Sequence, residues 1–161
     1  MEKKFYTAKH DAMFKAVFCN PKNRDLLKWL IEKCLNKKIN ILEVKAPQII
    51  KRNIYEKGKT LDVLVKVNNE IVNIELNSGY YDSLHKRNAA YIFSKYTEEV
   101  KVGENYTSMK NYIQINFTFE LPKDYPLLGE YRLIDIKTNK TFIDNLDIYE
   151  YNIDKIVNLL R

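Results

Sequence analysis

Two segments near the start of the chain have the apolar periodicity of helices. Residues 10–20 repeat aromatic and aliphatic positions every three to four residues up to Pro21, which should end the helix. Residues 24–36 carry a wider apolar stripe, and Asn36 suits the left-handed position that follows a helix. The pattern therefore predicts two amphipathic helices, with Trp29 of the second helix in the core.

The rest of the chain alternates strand-like apolar runs with two more helices. A long helix is predicted over residues 82–101 and a closing helix over residues 153–161. Strands are predicted at INILEV, NYIQINFTF, EYRLIDIK and NLDIYEYN, in addition to the hairpin described below. The core stripe of the long helix should consist of Ala89, Ile92, Phe93, Tyr96 and Val100. This order predicts one α/β domain over residues 1–161, with a mixed central sheet flanked by helices.

Residues 59–77, KTLDVLVKVNNEIVNIELN, form two apolar runs around a turn. Asn68 and Asn69 are a plausible two-residue hairpin loop, because Asn tolerates positive φ. Counting outward from that loop places Asp62 directly opposite Glu75 on one face of the hairpin. The other face is apolar and pairs Val65 with Val72, Val63 with Ile74, and Leu61 with Leu76.

The opposed carboxylates of Asp62 and Glu75 need an explanation, because like charges directly across a strand pair destabilise it. One explanation is an outer hairpin face on which water screens the repulsion. A second is a proton shared by the pair, which raises one of the two pKa values. A third is a bound divalent cation, and Mg²⁺ suits one or two protein carboxylates because it keeps several of its waters. The sequence leaves these three explanations open.

The composition of the chain excludes few classes of function. The chain has 161 residues, and 27 Lys and Arg against 21 Asp and Glu give a net charge of +6, which favours an anionic partner such as nucleic acid. Cys19 and Cys34 form no metal or redox motif, and two histidines are too few for a histidine-based metal site. No run of apolar residues suits a membrane helix or a signal peptide, so a cytoplasmic protein without a membrane partner is expected.

Four stretches of the chain, HDAMFKAVF, LDVLVKVNNEIVNIELN, HKRNAAYIFSKYTEEVKVGENY and YIQINF, follow one another in an informative order. The first looks like a D-x-x-F-K-x-x-F opening, and the second like a hairpin that ends in I-E-x-Q. The third looks like a K-R-x-x-x-Y helix followed by G-x-x-Y, and the fourth like the core strand after it. Together they resemble the Rpn family of recombination-promoting nucleases and transposases, within the PD-(D/E)xK nuclease superfamily, over roughly residues 8–150.

The resemblance implies a restriction-endonuclease-like fold and Mg²⁺-dependent DNA endonuclease activity, with Mn²⁺ as a substitute ion. By analogy, Asp62 and Glu75 would bind the metal, and Asp11 would be a further ligand. Asn77 is the third member of the catalytic signature, where the superfamily usually has Lys and this family Gln. Because Asn carries no charge, the alternative function is a catalytically impaired DNA-binding or protein-interaction module that keeps the fold.

Basic and aromatic residues beside this signature are candidates for DNA contacts. Arg87 and Tyr91 lie one turn apart on the predicted long helix, on a face that is either solvated or in contact with phosphate. Lys86 adds positive charge, and Lys15 is expected to be solvated or to contact phosphate. Asp11 also has a purely structural explanation, because an acid in the first turn of a helix is favoured by the helix dipole. The sequence leaves open whether the chain forms a homodimer.

Overall fold

The helices and strands of the chain follow the predicted order. In the computed structural model, which describes residues 11–45, 49–50, 59–60, 62–98 and 105–160, the helices are α1 (Asp11–Phe18), α2 (Arg24–Leu35), α3 (Leu84–Glu98) and α4 (Ile153–Leu159). The strands are β1 (Ile41–Lys45), β2 (Ile49–Ile50), β3 (Lys59–Thr60), β4 (Val63–Val67), β5 (Glu70–Asn77), β6 (Asn111–Thr118), β7 (Leu128–Tyr131) and β8 (Leu146–Asn152). Short 3₁₀ turns lie at Pro21–Asn23 and Tyr106–Ser108.

Six of the strands form one mixed sheet in the order β1-β4-β5-β6-β8-β7, and β2 pairs with β3 separately. The three central strands β5, β6 and β8 run parallel, whereas the outer strands pair antiparallel. α3 lies in the connection between β5 and β6, as parallel neighbours require a crossover. The predicted mixed α/β fold with a central sheet is therefore confirmed.

The hairpin register is the one that counting outward from the two asparagines predicts. Val67 pairs with Glu70, and the turn between them holds Asn68 at a φ of 49°. The same register pairs Val65 with Val72 and Val63 with Ile74. The predicted pairing of Leu61 lies outside the described residues. The explanation by an outer, solvated hairpin face does not hold, because β5 lies inside the sheet between β4 and β6.

One face of the sheet packs against α1 and α2, and it is apolar where these helices cover it. Alternate residues of β4, β5 and β6 point to this face and meet Leu27 and Ile31 of α2, which are fully buried. Trp29 lies two residues from each of them, on the outer side of α2, and is 54% exposed. The prediction that Trp29 belongs to the core was therefore wrong. Asn36 ends α2 in the left-handed conformation, as predicted.

The opposite face of the sheet packs against α3 and changes character along the strands. At the start of the parallel strands it is apolar, with Ile92 of α3 buried among Leu64, Ile71, Tyr112 and Leu146. Towards their carboxyl ends it carries a row of buried polar side chains: Asn73, Glu75, Asn77, Gln114, Asn116, Thr118, Glu150 and Asn152. β6 lies in the middle of the sheet, and only one of its two faces is apolar.

The predicted core stripe of α3, Ala89, Ile92, Phe93, Tyr96 and Val100, is partly wrong. The helix buries Leu84, Asn88, Ile92 and Lys95, which follow one another at helical spacing, together with Ser94. Phe93 of the predicted stripe is 42% exposed, and Val100 lies outside the described residues. The buried side of α3 therefore includes polar residues, and Asn88 lines a cavity with Gln114 and Asn116 of the polar row.

Candidate active site

A cavity of about 310 Å³ opens beside the carboxyl end of β5, between the first turns of α3 and the helix α1. Its charged and polar lining consists of Lys15, Asp62, Glu75, Asn77, Ser78, Tyr81, Arg87 and Tyr91. In sheets with parallel strands, clefts at the carboxyl ends of the strands are the usual place for ligands. The cavity thus contains two carboxylates and two cationic side chains from four different elements of the chain.

Asp62 lies one residue before β4, and its side chain points into the cavity with only 5% exposure. Its Oδ1 atom is 2.9 Å from Nζ of Lys15, and its Oδ2 atom accepts a hydrogen bond of 2.8 Å from the backbone N–H of Leu76. The predicted strand pairing of Asp62 with Glu75 is therefore not formed. The carboxylate of Asp62 instead accepts a hydrogen bond from the backbone of the neighbouring strand. The two acids are still brought together, because the hairpin register runs up to Val63.

Glu75 is 2% exposed, and its Oε1 atom accepts a hydrogen bond of 2.9 Å from Nδ2 of Asn73. Burial and the negative charge of Asp62 raise the pKa of Glu75 to about 8, against the opposing effects of the Asn73 hydrogen bond and the Arg87 charge. Solvent screening on an exposed face is thus excluded as the explanation of the acidic pair. A retained proton or a bound cation remains, and a cation would favour the ionised form of both acids.

Asn77, the residue at the altered position of the signature, is bonded at both ends of its side-chain amide. Its Nδ2 group donates to Oγ1 of Thr118 at 2.8 Å, and its Oδ1 atom accepts from Nη2 of Arg87 at 2.5 Å. Both partners come from other elements, β6 and α3. Asn77 therefore holds the guanidinium of Arg87 in the cavity.

Arg87 and Tyr91 line the cavity, so the face of α3 that carries them is not simply solvated. The guanidinium carbon of Arg87 lies 5.4 Å from the ring centre of Tyr91 and 6.0 Å from that of Tyr81. A cation held between aromatic rings keeps its charge with little hydration, which is the arrangement that binds phosphate through planar donors.

Of the remaining residues that the sequence suggested, one lines the cavity and the others do not or are not described. Lys15 is bound to Asp62 inside the cavity, which contradicts the interpretation of a merely solvated lysine. Lys86 is exposed on α3 and does not line the cavity. Asp11 is the first residue of α1, but its side chain lies outside the described part of the chain. Its role as a metal ligand therefore stays a prediction.

The polar row behind the site was missed by the sequence analysis, although a signal was present. Residues 112, 114, 116 and 118 of β6 read Tyr, Gln, Asn and Thr, which is the period-two alternation of one strand face. Glu75, Asn116 and Glu150 lie in register across three neighbouring strands. The alternation of polar residues in a strand that is otherwise apolar would have indicated a second, polar side of the core.

The donor set of the cavity fits a hard divalent cation. Asp62 and Glu75 contribute carboxylate oxygens, and Mg²⁺ binds through one or two carboxylates while water fills its other positions. In the part of the chain that the structure describes, no three His, Cys, Asp or Glu residues are grouped so that they could hold a metal ion. Cys19 and Cys34 are free thiols. The carboxylate oxygens of Asp62 and Glu75 suit a hard cation better than an ion that requires nitrogen and sulfur ligands.

A mixed sheet flanked by helices, with an acidic pair at the end of a hairpin, is the architecture of restriction-endonuclease-like proteins. The chain matches the model of a family described as PD-(D/E)XK nuclease family transposase over residues 8–159, and it belongs to this family. The membership confirms the resemblance found in the sequence and supports a nuclease associated with transposases, a class that generally uses divalent metal ions. No curated protein matches the chain. Among the described helices, none is long and apolar enough to cross a membrane.

Proposed function

We propose that this protein is a Mg²⁺-dependent DNA endonuclease that hydrolyses phosphodiester bonds, with Asp62 and Glu75 as the metal ligands. The observation that carries this proposal is the burial of two mutually repelling carboxylates in one cavity with Lys15 and Arg87. Buried charges of like sign are costly unless a counter-charge joins them. Family membership and the net charge of +6 agree with a DNA substrate.

Each side chain of the cavity has a distinct role in this proposal. Bound Mg²⁺, or Mn²⁺ in its place, would supply a Lewis acid that lowers the pKa of a water and withdraws charge from the phosphate. Asp62 is oriented for ligation by the Leu76 N–H and by Lys15, and Glu75 is oriented by Asn73. Asp11 is retained as a proposed further ligand.

Lys15 and Arg87 supply the positive charge that Asn77 lacks. The ammonium of Lys15 lies beside Asp62, where it can bind a phosphate oxygen as the scissile group approaches the carboxylates. The guanidinium of Arg87, held by Asn77 and packed on Tyr91, offers a planar set of N–H donors to the same phosphate. Lys86, on the exposed side of α3, would contact the backbone farther along the DNA.

The direct experiment is nicking of supercoiled plasmid DNA in Mg²⁺, in Mn²⁺ and in excess chelator. The wild type should cut in either metal and not in chelator, whereas Asp62→Asn and Glu75→Gln should reduce cutting to the chelator background. Asp144→Asn and Glu130→Gln remove exposed acids and serve as matched controls that should cut normally. A wild type that cuts in neither metal, or an active Glu75→Gln variant, contradicts the proposal.

A second function is favoured by one observation, namely that both ends of the Asn77 amide are bonded within the protein. This arrangement also suits a DNA-binding or protein-interaction module that keeps the fold without turnover. A DNA-binding module would show salt-dependent affinity for DNA, whereas a protein-interaction module would not bind DNA. Neither module would show Glu75-dependent uptake of Mn²⁺ in calorimetry. The cytoplasmic location stays a prediction, and the homodimer stays open.

A further inference from the structure

A second cavity, of about 300 Å³, lies between α3 and the part of the sheet formed by β6 and β8. It shares no lining residue with the candidate active site. Gln114, Asn116 and Glu150 form its inner wall, and Tyr125 and Tyr131 form its outer wall. A cavity of this volume is within the range of those that hold small organic ligands.

The inner wall ends in the buried carboxylate of Glu150, and its hydrogen-bond donors among the described residues are neutral groups. Glu150 is 1% exposed, and its carboxylate accepts hydrogen bonds from Nδ2 of Asn116 and from the hydroxyl of Thr118. Nε2 of His85 lies 3.8 Å from Oε2 of Glu150, which is too far for a hydrogen bond. Burial raises the pKa of Glu150. Each oxygen of this carboxylate accepts one hydrogen bond within the protein and has a further lone pair, so the group can accept N–H donors from a ligand.

The outer wall is aromatic and flat. The ring of Tyr125 stacks on His85 with 5.7 Å between ring centres and 27° between planes. The hydroxyls of Tyr125 and Tyr131 are 2.7 Å apart, which fixes both rings at the mouth. Ile148 and Ala89 add small apolar surfaces beside them. Such a slot suits a planar ring, because stacking on aromatic side chains stabilises flat heterocycles of any substitution.

We propose that this cavity binds a nucleobase, with the ring packed beside Tyr125 and the N–H donors of its edge on Glu150. Enzymes that hold a base outside the helix stack combine these two elements, an aromatic slot and a polar end that reads the base edge. Guanine fits best, because it presents two adjacent N–H donors to a carboxylate acceptor. The sugar and phosphate would face outward past His85, since Glu150 repels an anion.

The proposed base site is connected to the candidate active site through one threonine. The hydroxyl of Thr118 donates to Glu150 and accepts from Asn77, which in turn holds Arg87. Glu75 and Glu150 are in register two strands apart, so their backbones are separated by about 10 Å. The base could therefore come from a free nucleoside or from the DNA itself. Only the second source rests on the proposed nuclease function.

The first arm of the test uses guanosine, which has no phosphate that could bind near Lys15 or Arg87. Calorimetric titration of the whole chain in chelator should show saturable binding at millimolar concentration or below, and inosine, which lacks one donor, should bind more weakly. Glu150→Gln and the cavity-filling Ala89→Leu should each weaken binding at least about tenfold, since a hydrogen bond to a charged group is lost or the slot is closed. Asp62→Asn should bind as the wild type does.

The second arm measures anisotropy of short labelled oligonucleotides in chelator, so that no cleavage is needed. If the base comes from DNA, the wild type should prefer a guanine-containing strand over the same strand with inosine, and Glu150→Gln should abolish that preference. The proposal is overturned if neither guanosine nor the guanine strand is favoured. It is also overturned if Asp62→Asn weakens guanosine binding as much as Glu150→Gln does. Plasmid cutting that fails while guanosine still binds would contradict the nuclease proposal alone.

Discussion

The two faces of the central sheet are built from alternate residues of the same strands, yet they have opposite properties. Ile74 points to α1 and α2 and is packed among aliphatic side chains without exposure, whereas Glu75, its neighbour in β5, points to α3 and joins a row of buried amides and carboxylates. The apolar face stabilises the fold, while the polar face contains both cavities. Adjacent residues of one strand should therefore respond to substitution with opposite signs.

The largest expected effect on stability comes from the apolar face. Ile74→Ala should lower the free energy of unfolding by about 3 kcal/mol, because it removes buried methylene groups and leaves a cavity in a packed layer. Ile136→Ala is the matched control, since Ile136 is exposed, and should change stability by less than about 0.5 kcal/mol. Equilibrium unfolding in guanidinium chloride measures both. Equal effects of the two substitutions would mean that this face is not the main core.

The neighbouring Glu75→Gln substitution should have the opposite sign in metal-free protein. The folded-state pKa of about 8 lies above the ordinary value of 4.5, so the folded state holds a proton that the unfolded chain releases. The contribution of Glu75 to the stability of the wild type therefore falls as the pH rises from 4.5 to about 8. The variant lacks this contribution and does not show this loss. At pH 8 the variant should be more stable than the wild type by on the order of 2 kcal/mol.

Thermal unfolding in chelator at several pH values measures this difference, with Glu130→Gln as the control for removing an exposed acid. The gain of Glu75→Gln should be small near pH 4.5 and grow across the stated window. A gain in stability that does not depend on pH, or a destabilised variant at pH 8, would show that the fold does not raise the pKa of Glu75.

A smaller loss is expected where the polar row is interrupted without a change of shape. Thr118→Val removes the hydroxyl that binds both Asn77 and Glu150, leaving a buried donor and a buried acceptor each short of a partner. The cost should be about 1 to 3 kcal/mol. Thr141→Val, at an exposed position, is the matched control. An unchanged melting temperature for Thr118→Val would indicate that the row is held by packing rather than by its hydrogen bonds.

The smallest effect on stability should come from the exposed side of α3. Lys86→Ala should leave stability within about 0.5 kcal/mol. If Lys86 contacts the DNA backbone, the variant should bind all sequences more weakly and its salt dependence should fall by about one ion. Anisotropy titrations at several salt concentrations measure this slope. An unchanged slope would place Lys86 outside the DNA-binding surface.

The register of the hairpin could be predicted because a two-residue loop and a period of two fix every pair between Val63 and Ile74. The position of Asp62 could not, because strand pairing ends at Val63 and the carboxylate instead binds the Leu76 N–H. Whether α3 would turn Phe93 or Asn88 toward the sheet depends on the polar residues that another strand supplies. Periodicity within one element cannot reveal such a long-range choice.

The role of Asn77 in the site also depends on contacts that the local sequence does not show. Its sequence position marks it as the uncharged substitute for Lys or Gln, but the local sequence does not show that Arg87, ten residues later, bonds to it. The sequence left open whether Lys15 is solvated or contacts phosphate, and its contact with Asp62 joins positions that are 47 apart in the chain. The charge of the site is therefore assembled from distant segments that only the fold brings together.

The polar face is expected to bind one divalent cation between Asp62 and Glu75. Calorimetric titration of Mn²⁺ into the metal-free protein tests it most directly, with Asp62→Asn, Glu75→Gln and the surface control Asp144→Asn measured in parallel. We predict one saturable binding event in the wild type and in Asp144→Asn, and none in the two site variants. Binding that persists in Glu75→Gln, or no binding in the wild type, would contradict the claim.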